Sequence, residues 1–349
     1  MNRMPVLSGT KLNAGDLPKY TWNADLIAYD GPLLSLFKQS DGLDALFVWL
    51  DCDSTRNRWC VIPVTRSELW DYLSGKVALR ALILALPSIY VFTTGATASR
   101  RTFTEVDKLP DFYLPDSDSF LTPDISTAAA KNLTDDPAQE ETLVLVGEEI
   151  YLEDLEGIPK LYQQLYSFHY GMEHLSRPAV SHAVQKLMSD WHGGIGAVNL
   201  FSGLKTVTPS IHRARVVELR YNSPGVIKMS LLPLLSQRIK TAMSKVIGDN
   251  DFSSAENLYR QIYSYFKEHE ISGLEDERAI VAKELMPHQI QDLKFFISKF
   301  FDIFGWQSYA FHFDKLAITP VSQLRMLLAY YRRLRKLRDY IVARKLDLQ

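Results

Sequence analysis

The sequence predicts an α+β protein with an N-terminal antiparallel curled sheet and packed helices, a mixed middle segment and a mainly helical C-terminal region. Short apolar runs separated by turn residues fill the first 125 residues, a pattern typical of antiparallel strands. After residue 231, apolar residues recur at steps of three and four, which is typical of helices. With 46% hydrophobic and 23% charged residues in a chain of 349, we expect two or more compact units with sizeable cores.

The N-terminal strands are predicted from their turns. Residues 26–39 form two strands around a turn at Gly31 and Pro32, LIAYDGPLLSLFKQ. Residues 45–53 and 57–64 form two more, ALFVWLDCD and NRWCVIPV, across a polar turn. Together with SIYVFTTG at 88–95, they predict an antiparallel meander. The first twenty residues are polar and unpatterned, so we expect them to be frayed or draped over the surface.

Two short helices are predicted between these strands. Thr65 and Glu68 form a capping box, in which each side chain satisfies a backbone amide at the start of a helix. The helix that follows would bury Leu69, Tyr72 and Leu73. A second helix or turn is predicted over residues 77–86, and Pro87 ends it.

These segments resemble a family of uncharacterised bacterial proteins of unknown function. The resemblance is carried by YDGP, by ALFVWLD, by WCVIPVTRSELWDYLSGKVALRALI and by LPDFYLPDSDSFL, and it covers about residues 20–125. It implies a small α+β domain made of a curled sheet with a helix packed on it. It implies no activity or catalytic residue, and it points to a bacterial multi-gene context such as a phage-defence or mobile-element locus.

Composition divides the chain into four predicted parts. The N-terminal α+β domain covers 1–125, an acidic linker 126–142, a mixed α/β region 143–231 and a helical region 232–349. Within the middle region we predict one or two short strands over 142–155, a helix that begins at Pro159, a second helix after Pro178, and a hairpin over 214–231.

The C-terminal region predicts four helices. The first ends at Gly248, the second begins at a capping box formed by Ser253 and Glu256, and the third begins at Pro287. The last is predicted to run from about Val321 to the end of the chain.

No familiar catalytic pattern survives inspection. The sequence has neither a phosphate-binding GxxxxGK[ST] or GxGxxG loop nor a GxSxG elbow, and HGGIG at 192–196 follows a helix. His169 and His174 are five residues apart and do not share a helical face as zinc ligands would. Asp51 and Asp53 flank a turn, where aspartate is favoured by its backbone hydrogen bonds. We therefore expect no metal, no cofactor and no recognisable catalytic residue.

Charge is unevenly distributed along the chain. Residues 111–156 hold 13 acidic residues against one lysine, so the rest of a chain with net charge −2 carries +10. Residues 321–349 hold eight lysines and arginines against two aspartates, with tyrosines between them. The candidate binding residues lie within seven positions of this helix: Arg332, Arg333, Arg335, Lys336 and Arg338.

A basic helix of this kind has three readings. It could bind nucleic acid by neutralising phosphates, dock on an acidic protein surface (including this chain's own acidic segment), or simply keep its arginines in solvent. The hypothesis we favour is a non-catalytic binding or regulatory subunit that works with a partner protein in a bacterial multi-protein, anti-phage system. The alternatives are a nucleic-acid sensor that uses the same helix and an enzyme whose site is assembled from distant residues.

The remaining expectations concern the compartment and the assembly. The start of the chain has no apolar signal segment, and the longest apolar run, residues 77–86, is too short to cross a bilayer. Two cysteines, Cys52 and Cys60, do not suggest a secreted disulfide framework. We expect a cytoplasmic protein with reduced thiols and no membrane partner, and the sequence leaves a homo-oligomer open.

Overall fold

The computed structural model describes residues 4–13, 18–39, 42–94, 101–117, 140–146, 150–191, 197–220, 225–271 and 285–348. The chain divides into two compact units. The sheet unit comprises Met1–Asp136 with Pro209–Ile211, and the helical unit comprises Pro137–Thr208 with His212–Gln349. The predicted α+β class is confirmed. The predicted four-part division stays a prediction, and most of its acidic linker lies outside the described residues.

The sheet unit contains seven strands: β1 Thr10–Leu12, β2 Tyr20–Ala28, β3 Pro32–Gln39, β4 Asp44–Cys52, β5 Asn57–Val64, β6 Ile89–Thr94 and β7 Arg101–Val106. They form one antiparallel sheet in the order β1-β7-β6-β5-β4-β3-β2, so the predicted meander is confirmed. The first twenty residues, predicted to be frayed or draped over the surface, include a short strand. Residues 10–12 pair with β7, with Thr10 opposite Glu105, because an edge strand offers unpaired backbone groups that the N-terminal segment can satisfy.

Helices α1, Arg66–Leu73, and α2, Leu79–Leu84, pack on one face of this sheet. The capping box is confirmed: the Glu68 amide donates to Thr65 Oγ1 at 3.2 Å, and the Thr65 amide donates to Glu68 Oε2 at 2.8 Å. Leu69, Tyr72 and Leu73 are buried as predicted, against alternate residues of β3, β4 and β5.

The opposite face of the sheet carries a second, aromatic cluster. Phe47 is buried there, with ring centroids 4.2 Å from Phe37 and 6.2 Å from Phe92. The cluster as a whole contains Tyr20, Phe37, Ala45, Phe47, Trp59, Val61, Tyr90, Phe92 and Phe103. The period-two alternation of a strand places these residues away from the helices.

The helical unit combines a small sheet with eight helices among the described residues. Its strands are β8 Glu140–Val146, β9 Arg215–Arg220, β10 Gly225–Leu231 and β11 Leu346–Leu348, antiparallel in the order β11-β8-β10-β9. Its helices are α3 Leu152–Glu173, α4 Pro178–Asp190, α5 Val198–Val207, α6 Pro233–Ile247, α7 Asp249–Glu268, α8 Pro287–Phe304, α9 Gln307–Asp314 and α10 Pro320–Val342. The strands of the predicted hairpin are confirmed; its turn, residues 221–224, lies outside the described residues.

Helix α3 begins at Leu152, not at Pro159 as predicted. The Tyr151 amide donates to Asp154 Oδ2 at 3.0 Å, and acidic residues in the first turn favour the positive end of the helix dipole. Pro159 lies inside the helix, where it removes a single backbone hydrogen bond. Residues 152–155 are therefore helical, although we predicted a strand there.

Two further helix boundaries differ from the prediction. Helix α7 begins at Asp249, with Gly248 as its N-cap, and not at the predicted capping box of Ser253 and Glu256. The helix starts earlier because Phe252, in its first turn, packs against the core. Helix α10 ends at Val342 rather than at the end of the chain. Arg344 adopts φ 57°, and this left-handed residue turns the chain into β11, which pairs with β8.

Helix α10 is the most deeply packed element of the helical unit. It contacts α3, α6 and α8, and its buried residues include Leu324, Tyr330, Tyr331 and Leu334. Within the described part of the chain, no helix combines the length and apolarity needed to cross a membrane.

Candidate functional site

The five predicted binding residues lie on α10, but the helix separates them onto two sides. Arg332 donates to Tyr263 Oη at 3.2 Å, Arg335 pairs with Glu256 at 3.5 Å, and Arg338 donates to the Val246 carbonyl at 2.6 Å. These three, spaced by three residues, face α6 and α7. They hold helices of their own unit together.

Arg333 and Lys336 lie on the side of α10 that faces α3. Arg333 is only 7% exposed; its Nε donates to Gln164 Oε1 at 2.7 Å, and its guanidinium carbon lies 3.5 Å from the centre of the Phe201 ring. Burial and the neighbouring charge of Arg332 lower the pKa of Arg333 to about 9. Lys336 is exposed and makes no hydrogen bond or ion pair with another described residue.

A groove of about 640 Å³ separates α3 from α10, and we call it the basic groove. Its α3 side consists of Gly157, Lys160, Leu161 and Gln164, and its α10 side of Arg333, Lys336, Asp339 and Tyr340. Val198, Ala343 and Lys345 complete its lining. The volume lies within the range of about 300–1,000 Å³ that is common for ligand pockets.

The α3 wall depends on Gly157. A Cβ atom at this position would lie 2.7 Å from Tyr340 Oη, closer than real Cβ contacts. Glycine therefore leaves room for the Tyr340 hydroxyl at this end of the groove, although it is a poor helix former.

Among the described residues, four cationic side chains line the basic groove against one carboxylate, that of Asp339. Lys160 forms a largely exposed pair with Glu156 at 3.1 Å, which is weak because solvent screens it. Lys345 donates to Asp154 at 2.8 Å; this hydrogen bond raises the pKa of Lys345 and lowers that of Asp154. Lys336 is exposed and forms no such pair with another described residue.

Sequence reasoning missed most of this groove. It identified Arg333 and Lys336, but not Lys160, Gln164 or Val198, because these lie on other helices. A partial signal existed, since Lys160 and Gln164 are four residues apart and share one face of α3. Nothing in the sequence predicts that this face meets α10.

A second polar cluster is closed to solvent. His169 is fully buried, with Nε2 2.7 Å from Tyr330 Oη and Nδ1 3.3 Å from Tyr309 Oη. Burial, helped by the charge of Arg238, lowers the pKa of His169 to about 3. The imidazole is therefore neutral at physiological pH, and the cluster is a hydrogen-bonded part of the core.

The remaining residues considered for catalysis or metal binding are the turn aspartates and the two cysteines. Asp53 accepts hydrogen bonds from Thr55 and Arg56, which lower its pKa to about 2, as expected for a turn aspartate. Cys52 and Cys60 are free, and burial raises the pKa of Cys60 to about 12. No group of three or more potential metal ligands occurs within the described ranges, and HGGIG at 192–196 falls outside them.

Comparison with known proteins found a family match for one part of the chain. Residues 27–142 match a family model described as "Family of unknown function (DUF6575)". This confirms the resemblance to an uncharacterised domain, although not its bacterial or phage-defence context. No curated protein and no solved structure matches the chain. The basic groove lies outside the matched residues.

Proposed function

We propose that this protein is a non-catalytic binding subunit that engages a partner through an anionic group held in the basic groove. One observation carries the proposal: Lys160, Arg333, Lys336 and Lys345 line a single groove, and the described part of its lining contains one carboxylate. Opposite charge favours such a ligand, and four cations around one groove attract it more strongly than a single exposed cation would.

The geometry supports binding over catalysis. The groove contains lysines, an arginine and a tyrosine, but its described lining lacks a histidine or a nucleophile paired with a base, which acid–base and nucleophilic catalysis require. The histidine cluster around His169 has the right residue types, yet burial keeps it away from any substrate. The groove therefore suits recognition.

Nucleic acid is the second candidate, and the internal contacts of α10 weaken it. Arg332, Arg335 and Arg338 are already engaged with Tyr263, Glu256 and Val246. Affinity for a phosphate backbone rises with the number of phosphates that are neutralised. Because three arginines of α10 contact residues of their own unit, fewer cations of this helix can contact phosphates.

The wider context belongs to the same proposal. We place the protein in the cytoplasm as a subunit of a bacterial multi-protein, anti-phage system. Native mass and the ratio of absorbance at 260 and 280 nm, measured at low and high salt, test the assembly. Co-purification with products of adjacent genes supports the context, whereas a high absorbance ratio that collapses with salt favours nucleic acid.

The groove itself is tested with a fluorescent decaglutamate peptide and fluorescence anisotropy. We expect Lys336→Glu to weaken binding by about tenfold, because it replaces an attraction with a repulsion. Lys299→Glu is the matched control, since Lys299 is an exposed lysine on α8 outside the groove. Equal affinities of the two variants would contradict the proposal.

A further inference from the structure

We infer that the ligand of the basic groove is a short extended segment of a partner protein that combines acidic side chains with an aliphatic anchor. This inference rests on the proposed function and names the class of partner that the groove takes. It depends on three features of the groove: its length, its apolar contacts and the position of Asp339, the one carboxylate in the described part of its lining.

The length of the groove fits a peptide. Along α10 its lining runs from Arg333 to Ala343, the residue that caps the end of the helix, and ten residues at the helical rise span about 15 Å. An extended chain covers about 3.3 Å per residue, so the groove accommodates about five residues. Lys336 lies one turn along from Arg333, and Lys345 lies beyond the other end.

The groove offers an apolar contact beside its cations. Val198 is 62% exposed although its side chain lines the groove, and Leu161 and Ala343 lie in the same lining. A leucine or isoleucine on the bound segment would cover Val198 and remove apolar surface from water. A phosphate backbone has no such side chain.

The position of Asp339 also favours a peptide over a phosphodiester chain. Asp339 is exposed on the α10 wall, three residues after Lys336. A nucleic acid carries a charge at every phosphate, so one of them would meet this carboxylate. A peptide can place an uncharged residue there and keep its carboxylates beside Lys336 and Arg333.

The test compares labelled probes of equal length on the full-length protein. One decapeptide contains glutamate and leucine, the second has each leucine replaced by serine, and the third probe is a deoxythymidine decanucleotide. We expect the leucine peptide to bind about tenfold more tightly than the serine peptide, since one buried leucine contributes roughly that factor. Val198→Ser should remove this difference, while Lys336→Glu should weaken both peptides.

The outcomes distinguish failure of the peptide inference from failure of the proposed anion-binding function. If both peptides bind equally and Lys336→Glu weakens both, the aliphatic anchor is refuted and the anion-binding groove stands. If neither peptide responds to Lys336→Glu, the proposed function itself is refuted. If the decanucleotide binds more tightly than either peptide and Lys336→Glu weakens it, the peptide class is overturned in favour of nucleic acid. Circular dichroism of each variant checks that it is folded.

Discussion

Each unit buries an arginine, and the two arginines have different neighbours. In the sheet unit, Arg58 is 8% exposed and pairs with the Asp51 carboxylate at 3.6 Å, while Tyr113 also donates to Asp51. In the helical unit, Arg333 is equally buried but contacts the neutral Gln164 amide and the Phe201 ring. His169 likewise lies between two tyrosine hydroxyls.

This difference separates structural charges from charges suited to an external ligand. A buried cation beside a carboxylate is neutralised within its own unit. Removing one partner of such a pair leaves the other charge buried without compensation, which lowers the stability of the fold. Burial and the charge of Arg332 lower the pKa of Arg333, and an incoming anion would favour its charged form. We therefore expect Arg58 to contribute to stability, and the binding role of Arg333 stays a prediction.

The largest expected effect is the acid sensitivity of the helical unit. The pKa of His169 is lowered from 6.5 to about 3, so between these values the unfolded chain holds a proton that the folded chain does not. Stability must then fall as the pH falls, by up to about 1.4 kcal/mol per pH unit, or about 3 kcal/mol between pH 6.5 and about pH 4.

The loss of stability in the helical unit can be measured by hydrogen exchange of the α3 amides, monitored by mass spectrometry at several pH values. The variant His169→Gln retains a polar side chain but does not titrate, so we expect its stability to change less over the same interval. A variant as acid-sensitive as the natural chain would show that other groups dominate.

A smaller effect is expected for the compensated arginine of the sheet unit. Replacing Arg58 by methionine leaves Asp51 partly buried without its cation and should lower the free energy of unfolding by about 2–3 kcal/mol. The double variant Arg58→Met with Asp51→Asn removes both charges and should recover part of the loss. Urea unfolding measures both; an additive double variant would mean that the pair is not coupled.

The smallest effect on stability is expected for Arg333. Replacing it by methionine removes a charge that burial already disfavours, so the free energy of unfolding should change by less than about 1 kcal/mol. Binding of the decaglutamate peptide should nevertheless weaken. Urea unfolding and fluorescence anisotropy on the same variant check the two outcomes. A loss of stability as large as that of the Arg58 variant would contradict the claim that the two buried arginines differ in their contribution to stability.

Local patterns predicted the elements better than their assembly. The capping box at Thr65 and the strands around Gly31 depend on neighbouring residues, and they are confirmed. The end of α10 depends on a contact made elsewhere, the pairing of β11 with β8, and the Asp154 that caps α3 also pairs with the distant Lys345. A single sequence does not show such contacts.

The candidate site shows the same limit more sharply. The run of basic residues on α10 was visible, yet the sequence did not reveal that Arg332, Arg335 and Arg338 face α6 and α7 while Arg333 and Lys336 face α3. Helical spacing shows which residues share a side, but only the packing of neighbouring helices shows which side is open. The binding role of these five residues stays a prediction.

The central claim is that an acidic segment binds in the basic groove, and carbodiimide cross-linking tests it most directly. This reagent joins a carboxylate to a lysine amine that contacts it, and mass spectrometry then identifies the lysine. With the decaglutamate peptide, the account predicts cross-links at Lys336 together with Lys160 or Lys345, and few at Lys294 or Lys299 on α8. Cross-links spread evenly over the surface lysines, or concentrated on α8, would contradict it.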